Sequence, residues 1–271
     1  MGVRFAKGHG TENDFVLLPD PDGLLDLTAS RVRALCDRRR GIGADGVLRM
    51  LHGSDGRPGG DGWFMDYRNA DGSVAEMCGN GVRVFARYLV DAGLVPAGEF
   101  VIGTRNGPRA VMVSSAGEVT VDMGSAVVQG SSTAIVAGRA FPGLVIDVGN
   151  PHLACVTDGQ LSDLDLTVPP GHDPVVFPDG VNVEFVRITG ADATAMRVHE
   201  RGVGETRSCG TGTVAAAVAA LWAGGRSTGE LSVDTRGGRL RVEVEASTTR
   251  LTGPAVIVAA GELSDDWWQE S

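Results

Sequence analysis

Lysine is almost absent from this chain, since Lys7 is the only one among 271 residues. Enzymes that use pyridoxal phosphate hold the cofactor as a Schiff base on a lysine. Lys7 would have to be that residue, yet it lies in the first strand-like segment with no phosphate-binding loop beside it. The sequence therefore argues against pyridoxal chemistry, and we expect an activity that needs no cofactor.

Basic charge and long apolar runs are also scarce. The 24 lysines and arginines face 34 acidic residues, which gives a formal net charge of −10 and disfavours nucleic acid or an anionic membrane as a partner. The apolar stretch from Val214 to Ala223 is too short to span a bilayer, and the N-terminus has no hydrophobic signal core. We therefore expect a cytoplasmic protein with neither a nucleic-acid nor a membrane partner.

Metal-ligand spacing is the third absence. The chain has four cysteines and five histidines, but none of the closely spaced pairs that are typical of zinc sites. We expect no metal. Cys36 and Cys155 lie in apolar segments, which predicts two small buried thiols of structural importance only.

Two near-duplicate segments stand out in opposite halves of the chain, Met77–Gly81 and Ser208–Gly212. Each has the pattern Cys-Gly-x-Gly and runs directly into an apolar helical stretch. A helix N-terminus lowers the pKa of a thiol, and glycine lets the backbone approach a ligand closely. We therefore interpret Cys78 and Cys209 as two thiols that face each other, one removing the α-proton of an amino acid and the other returning a proton to the opposite face.

The repeat includes polar residues outside the motif. Asn69 and Glu200 each lie nine positions before a cysteine, and Asn13 has a counterpart in Asn150. Short Val-rich segments separated by glycine turns surround both cysteine-led helices, which predicts antiparallel sheets. We expect two similar domains joined near residues 123–132, with an active site in the cleft between them.

Two further segments and two further residues bear on the fold and the site. The Gly41–Gly46 segment matches a dinucleotide-binding motif by letter, but it follows a helix and enters a strand, so we interpret it as a turn that ends the helix. The 28–40 segment predicts an amphipathic helix, capped by Thr28 and with arginines in its last turn. His152 either adjusts the pKa of a nearby thiol, as Glu200 could also do, or is simply hydrogen-bonded. Arg201, whose planar fork suits a carboxylate, stands beside Glu200 at the edge of the expected site.

At these residues the chain resembles the diaminopimelate epimerase family, and the resemblance runs almost end to end. Cys-Gly-x-Gly alone is less specific, because proline racemases share it. The resemblance is carried by seven segments: 8–10 with 13–15, 37–38 with 41–46, 66–72, 77–81, 149–152, 200–202 and 209–212.

This resemblance implies interconversion of LL- and meso-diaminopimelate in lysine and peptidoglycan precursor synthesis, with Cys78 and Cys209 as acid and base. It implies an α/β (α+β) fold of two domains, 1–124 with a return strand in 255–271, and 125–254, each a curled sheet around a central helix. It also implies a set of substrate-binding residues: Asn13, Asn69, Gly79, Asn80, Asn150, Asn182, Glu200, Arg201, Gly210 and Thr211.

Two positions depart from the family pattern. Gly46 replaces a glutamine that contacts substrate in many relatives. Ala259 aligns with a tyrosine that some relatives use at a dimer interface, so a homodimer is a weaker expectation than the chemistry.

Three alternatives stay open at this point. A proline or hydroxyproline racemase would not need the many polar side chains, because proline has no distal amino-acid group to bind. A non-catalytic amino-acid-binding protein would not need both cysteines. A redox switch would require a disulfide between Cys78 and Cys209 to activate the protein.

Overall fold

The computed structural model describes residues 2–53 and 62–271, which form an α+β fold dominated by strands. The predicted fold class is confirmed. The first elements in chain order are β1 (Arg4–Gly10), β2 (Asn13–Pro19), α1 (Ala29–Cys36), β3 (Gly46–His52), β4 (Trp63–Asn69), α2 (Gly79–Asp91), β5 (Gly98–Thr104), β6 (Gly107–Val113) and β7 (Val119–Gly124).

The remaining elements continue the strand-rich pattern, with one short 3₁₀ turn at Leu161–Asp163. They are β8 (Val127–Val136), β9 (Arg139–Asp147), β10 (Pro151–Val156), β11 (Asn182–Gly190), β12 (Ala193–Glu200), β13 (Gly204–Thr206), α3 (Gly210–Ala223), β14 (Gly229–Thr235), β15 (Gly238–Val244), β16 (Thr249–Gly253), β17 (Val256–Glu262) and α4 (Asp265–Glu270). No helix among the described residues has the length and apolar character needed to cross a membrane.

The described chain separates into two compact units. Unit 1 contains residues 1–121 and 254–271, and unit 2 contains residues 122–253. In unit 1, β17 pairs with β1, and the order continues through β2, β3, β4, β5 and β6 to β7. Helix α2 contacts β17 and β1 near one end of this order and β6 near the other. The sheet of unit 1 therefore curls around α2.

Burial explains why α2 occupies the centre of unit 1. Val82, Phe85, Ala86 and Leu89 are all fully buried, and they recur at the three- and four-residue spacing of one helix face. Arg83 is buried among them as well.

Unit 2 repeats this arrangement around α3, which contacts the strands from β9 to β12 and from β14 to β16. Residues 214–217 of α3 are fully buried. Because this helix is rich in alanine, strands can pack closely on all sides of it. A second core cluster lies beneath β8 to β11 and includes Phe141, Leu153 and Phe185.

The segment predicted as a helix over 28–40 is shorter in the structure. Thr28 caps α1 as predicted, and its Oγ1 accepts from the Arg31 N–H at 3.3 Å. The helix ends at Cys36 because Asp37 turns to an extended conformation and its side chain accepts from the N–H groups of Arg39 and Arg40. The prediction that arginines fill the last turn is therefore wrong for Arg38, Arg39 and Arg40, and only Arg33 lies in that turn.

Candidate active site

Cys78 lies at the N-cap of α2, with φ −141° and ψ 120°, and its side chain makes no capping hydrogen bond. Its Sγ lies 3.6 Å from Asn13 Oδ1. The same oxygen accepts from Asn80 Nδ2 at 3.2 Å. Three of the residues singled out from the sequence, Asn13, Cys78 and Asn80, therefore meet within unit 1.

Asp45 fixes the orientation of the Asn13 side chain. Asn13 Nδ2 donates to Asp45 Oδ2 at 2.8 Å, and Arg38 donates to Asp45 Oδ1 at 2.7 Å. Because a carboxylate only accepts hydrogen bonds, it holds the NH₂ group of Asn13 and turns the carboxamide oxygen toward Cys78. Asp45 is a site residue that the sequence analysis missed.

Arg83 is a buried cation one turn further along α2. Its Nη2 donates to Thr11 Oγ1 at 3.2 Å and its Nε donates to the carbonyl of Pro254 at 3.4 Å, whereas its Nη1 has no hydrogen-bond partner among the described residues. Burial lowers the pKa of Arg83 to about 10, and the interaction with Cys78 opposes that shift. This guanidinium places positive charge within electrostatic reach of Cys78.

Two other positions of unit 1 bear on the sequence predictions. Asn69 ends β4, where its Nδ2 donates to Ser73 Oγ at 2.9 Å. Gly46 starts β3, and a Cβ there would lie 2.6 Å from the Arg68 carbonyl oxygen and 2.7 Å from the Tyr67 ring. Since β4 fills this space, the backbone leaves no room for a side chain at Gly46.

Cys209 occupies the same position on α3, but its surroundings differ. Its Sγ accepts from the Gly212 N–H at 3.4 Å and lies 3.6 Å from Thr211 Oγ1. Burial raises the pKa of the Cys209 thiol well above its usual value, and the carboxylates of Glu200 and Glu184 add to the rise. Cys209 is therefore strongly biased toward the protonated thiol.

His152 links the predicted ligand Asn150 to a buried acid. His152 Nδ1 lies 2.7 Å from Glu184 Oε1, and His152 Nε2 lies 3.0 Å from Asn150 Oδ1. The side chains of His152 and Glu184 are both 0% exposed. Burial raises the pKa of Glu184, while His152 acts in the opposite direction.

The remaining predicted residues of unit 2 lie where β11 begins and β12 ends. Asn182 Oδ1 accepts from the Arg201 backbone N–H at 2.9 Å, and Arg201 Nη1 donates to the Asp179 carbonyl at 3.2 Å. Glu200 accepts a short hydrogen bond from Thr206 Oγ1. Gly210 and Thr211 form the start of α3, and Gly79 forms the start of α2. The first N–H groups of each helix lack partners within the helix, so they suit an anion.

Cys36 and Cys155 are buried thiols, as predicted. Burial raises the pKa of each to about 12. Because the thiolate is the reactive form, neither is suited to acid–base chemistry near neutral pH.

Glu184 and Arg83 could have been found from a signal in the sequence. Glu184 is the one charged residue in the apolar run from Val181 to Val186, and it lies two positions after Asn182, on the same face of a strand. Arg83 likewise interrupts an apolar helical stretch. A charge inside a buried segment is costly unless it has a role.

The matches to known proteins agree across the length of the chain. A sequence model of the family described as diaminopimelate epimerase matches residues 5–129 and 144–262. The diaminopimelate epimerase of Rhodococcus jostii (strain RHA1) is 58% identical, over 98% of this chain and 99% of its own length. That of Mycolicibacterium smegmatis is 57% identical, over 97% of this chain and 98% of its own length.

Solved structures with the same fold are more distant in sequence. A hydroxyproline epimerase from Agrobacterium vitis, solved with trans-4-hydroxy-L-proline, has a TM-score of 0.69 at 15% identity, covering 96% of this chain and 90% of that one. A phenazine biosynthesis protein of the PhzF family from Bacillus anthracis has the same TM-score and identity, covering 97% and 99%. These structures share the fold alone.

Proposed function

This chain belongs to the diaminopimelate epimerase family, and on that premise we propose that it interconverts LL- and meso-diaminopimelate with two thiols and no cofactor. The observation that carries the proposal is the matched placement of Cys78 and Cys209. Each occupies the N-cap position of the central helix of its own unit, and each has residues predicted to bind the substrate as neighbours.

A two-base inversion at an α-carbon uses a base on one face and an acid on the other. In our proposal one cysteine, as thiolate, removes the α-proton, while the other, as thiol, protonates the opposite face. The mechanism therefore requires both sulfurs to reach one substrate carbon. In the reverse direction the two roles exchange, because each step must be reversible.

An α-proton is a much weaker acid than a thiol, so the carbanion needs strong electrostatic stabilisation. We assign this to the first N–H groups of α2 and α3, from Gly79–Asn80 and Gly210–Thr211, which would bind the reacting carboxylate. Pre-oriented donors of this kind lower the barrier without having to reorganise during the reaction.

The other polar residues would bind the rest of the substrate, including its distal amino-acid group, which does not react. Glu200 has the charge to bind an ammonium group, and Arg201 has the shape to bind a carboxylate. Asn13, Asn69, Asn150 and Asn182 would complete the contacts with the substrate, including those with its distal end. Together they would select diaminopimelate over a smaller amino acid.

We propose in addition that the protein works in the cytoplasm, where it would supply meso-diaminopimelate for lysine and peptidoglycan precursors. Homodimerisation remains a prediction. Ala259 lies exposed on β17, and sedimentation of the purified chain would measure its mass in solution.

The test is incubation of the reduced protein with LL-diaminopimelate or L-proline in D₂O, with NMR detection of the α-carbons. We expect epimerised diaminopimelate that carries one α-deuterium, and unchanged proline. Racemised proline with unchanged diaminopimelate would overturn the substrate assignment. If neither amino acid changes, the catalytic assignment fails.

A further inference from the structure

Glu184 is a buried acid whose retention requires an explanation. It is 0% exposed, in the middle of β11, between the buried apolar residues Val183 and Phe185. Its Oε1 contacts His152, whereas its Oε2 has no hydrogen-bond partner among the described residues. Because removing a carboxylate from water is costly, a residue that only filled this space would be better apolar.

The proton on His152 determines how Asn150 is oriented. Both ring nitrogens of His152 face oxygen atoms, those of Glu184 and Asn150. A carbonyl oxygen only accepts, so the contact with Asn150 requires a hydrogen on Nε2. Two forms of the pair provide it, an imidazolium beside a carboxylate or a neutral imidazole beside a carboxylic acid. In both forms Glu184 and His152 together hold two hydrogens, one more than a neutral imidazole beside a carboxylate would hold.

The position of Glu184 is fixed from a second side by α3. A Cβ on Gly212 would lie 2.7 Å from Glu184 Oε1, so the first turn of the helix packs directly on the carboxyl group. Two other ionisable groups interact with this pair electrostatically: Glu200 acts on Glu184, and Glu184 acts on Cys209. Glu200 thus places a carboxylate within electrostatic reach of the pair, which favours retention of the additional hydrogen.

We propose that Glu184 is a positioning residue: through His152 it holds the carboxamide oxygen of Asn150 and directs the Asn150 NH₂ group to donate to the carboxylate of the substrate. The inference rests on the proposed function, in which Asn150 contacts diaminopimelate. As a consequence, Glu184 would determine whether Asn150 presents its NH₂ group or its oxygen to the substrate, although Glu184 itself does not contact the substrate.

A double-mutant cycle tests this relay. Glu184→Leu keeps a similar volume but cannot retain the proton, and Asn150→Ala removes the group that Glu184 is proposed to orient. We expect each single variant to lower kcat/KM for LL-diaminopimelate roughly 10- to 100-fold, the worth of a hydrogen bond to a charged group. In the Asn150→Ala background, Glu184→Leu should add less than about threefold, because coupled residues are not additive. Fully additive losses would overturn the proposal.

A matched control comes from the neighbouring strand. Thr194 in β12 is 0% exposed, and its Oγ1 donates to the Arg187 carbonyl at 2.8 Å. Thr194→Val therefore removes a buried hydrogen bond with almost no change of shape. We expect lower thermal stability but unchanged kcat/KM. If Thr194→Val lowers kcat/KM as much as Glu184→Leu does, then the loss of any buried hydrogen bond in this sheet has the same effect. That result would overturn the proposal.

A measurement on the wild-type protein covers the case in which Glu184→Leu does not fold. In ¹⁵N-histidine NMR at pH 8, where an ordinary histidine of pKa about 6.5 is neutral, we expect His152 Nε2 to carry a hydrogen. The signal is assigned by its absence from a His152→Asn sample. A bare Nε2 would overturn the relay. Protonated Nε2 in a protein that does not epimerise diaminopimelate would leave the relay standing and reject the proposed function.

Discussion

Helices α2 and α3 start with the same motif, yet their surroundings carry opposite charge. In α2 the fully buried cation Arg83 interacts with Cys78. Helix α3 contains no charged residue, and the carboxylates of Glu184 and Glu200 act on Cys209 from neighbouring strands. The duplicated motif supplies the same chemical group twice, and the unmatched charges make the two thiols inequivalent.

Asn13 and its counterpart Asn150 also differ in their surroundings. Asp45 holds the NH₂ group of Asn13, so the oxygen of Asn13 faces Cys78. His152 holds the oxygen of Asn150 instead, so the NH₂ group remains available. The two asparagines thus present a carboxamide oxygen in unit 1 and an NH₂ group in unit 2, a difference that the proposed function would use to bind an unsymmetrical substrate.

Among the variants that compare the two helices, removal of either thiol should have the largest effect on activity. We expect Cys78→Ser and Cys209→Ser each to lower kcat roughly 10³-fold in both directions, because the loss of an acid or base typically costs 10²- to 10⁴-fold. Coupled assays from LL- and from meso-diaminopimelate measure this. Cys36→Ala, which removes a buried thiol at the C-terminal end of α1, serves as the control and should retain activity. Full activity in either serine variant would exclude a two-thiol mechanism.

Substitution of the second glycine of each motif should give the next largest difference in kcat/KM between the two units. A Cβ on Gly212 would lie 2.7 Å from Glu184 Oε1 and 3.3 Å from Cys209 Sγ. At Gly81 it would lie 3.3 Å from Leu48 and 3.6 Å from Cys78 Cβ, with no charged group in contact. We expect Gly212→Ala to lower kcat/KM at least about tenfold by displacing Glu184. Gly81→Ala should stay within about threefold, since alanine also favours the helix. Equal losses of kcat/KM in the two variants would contradict the idea that contact with Glu184 distinguishes Gly212 from Gly81.

Alkylation measures the charge difference directly. Cys209 is 7% exposed, and burial with two nearby carboxylates raises its pKa well above the usual value. Cys78 is more exposed and lies near Arg83. Because the thiolate reacts, iodoacetamide at pH 8 should modify Cys78 at least about tenfold faster than Cys209, as followed by peptide mass spectrometry. Faster modification of Cys209 would reverse our assignment of the charge.

The smallest expected effect concerns Asp14, which binds the same Arg38 guanidinium as Asp45. Burial raises the pKa of Asp14, but hydrogen bonds from Arg38 and Lys7 outweigh it and lower the value from 3.8 to about 2. A depressed pKa means that the folded state binds the proton less tightly than the unfolded state. Asp14 therefore contributes about 2 kcal/mol above pH 4, and this is lost as the pH falls from 3.8 toward 2.

Urea unfolding between pH 5 and pH 2 measures that contribution. Asp14→Asn should show a shallower fall in the free energy of unfolding than the wild type over this range. Parallel curves would show that Asp14 does not stabilise this region. No matching acid dependence is expected from Glu184, whose pKa is raised by burial and not lowered.

The sequence is sufficient to predict the strand-rich class, the two cysteine-led helices and the family, because periodicity and local motifs determine them. The length of α1 was overestimated, since the Asp37 turn competes with the helix and local propensity does not reveal which wins. A charge inside an apolar run marks Glu184 and Arg83 as unusual in the sequence, but their contacts, like those of Asp45, depend on burial and on partners distant in the chain. Those contacts exist only once the chain has folded.

Transfer of deuterium in the first turnover tests the two-thiol mechanism most directly. LL-diaminopimelate is incubated with wild-type protein in D₂O, and the reaction is stopped after a small fraction has converted. With two thiols, one takes the substrate proton and the other delivers deuterium, so the meso product should carry α-deuterium while recovered LL-diaminopimelate remains unlabelled. Deuterium appearing in recovered LL-diaminopimelate as fast as in the product would contradict the account, because one base would then serve both faces.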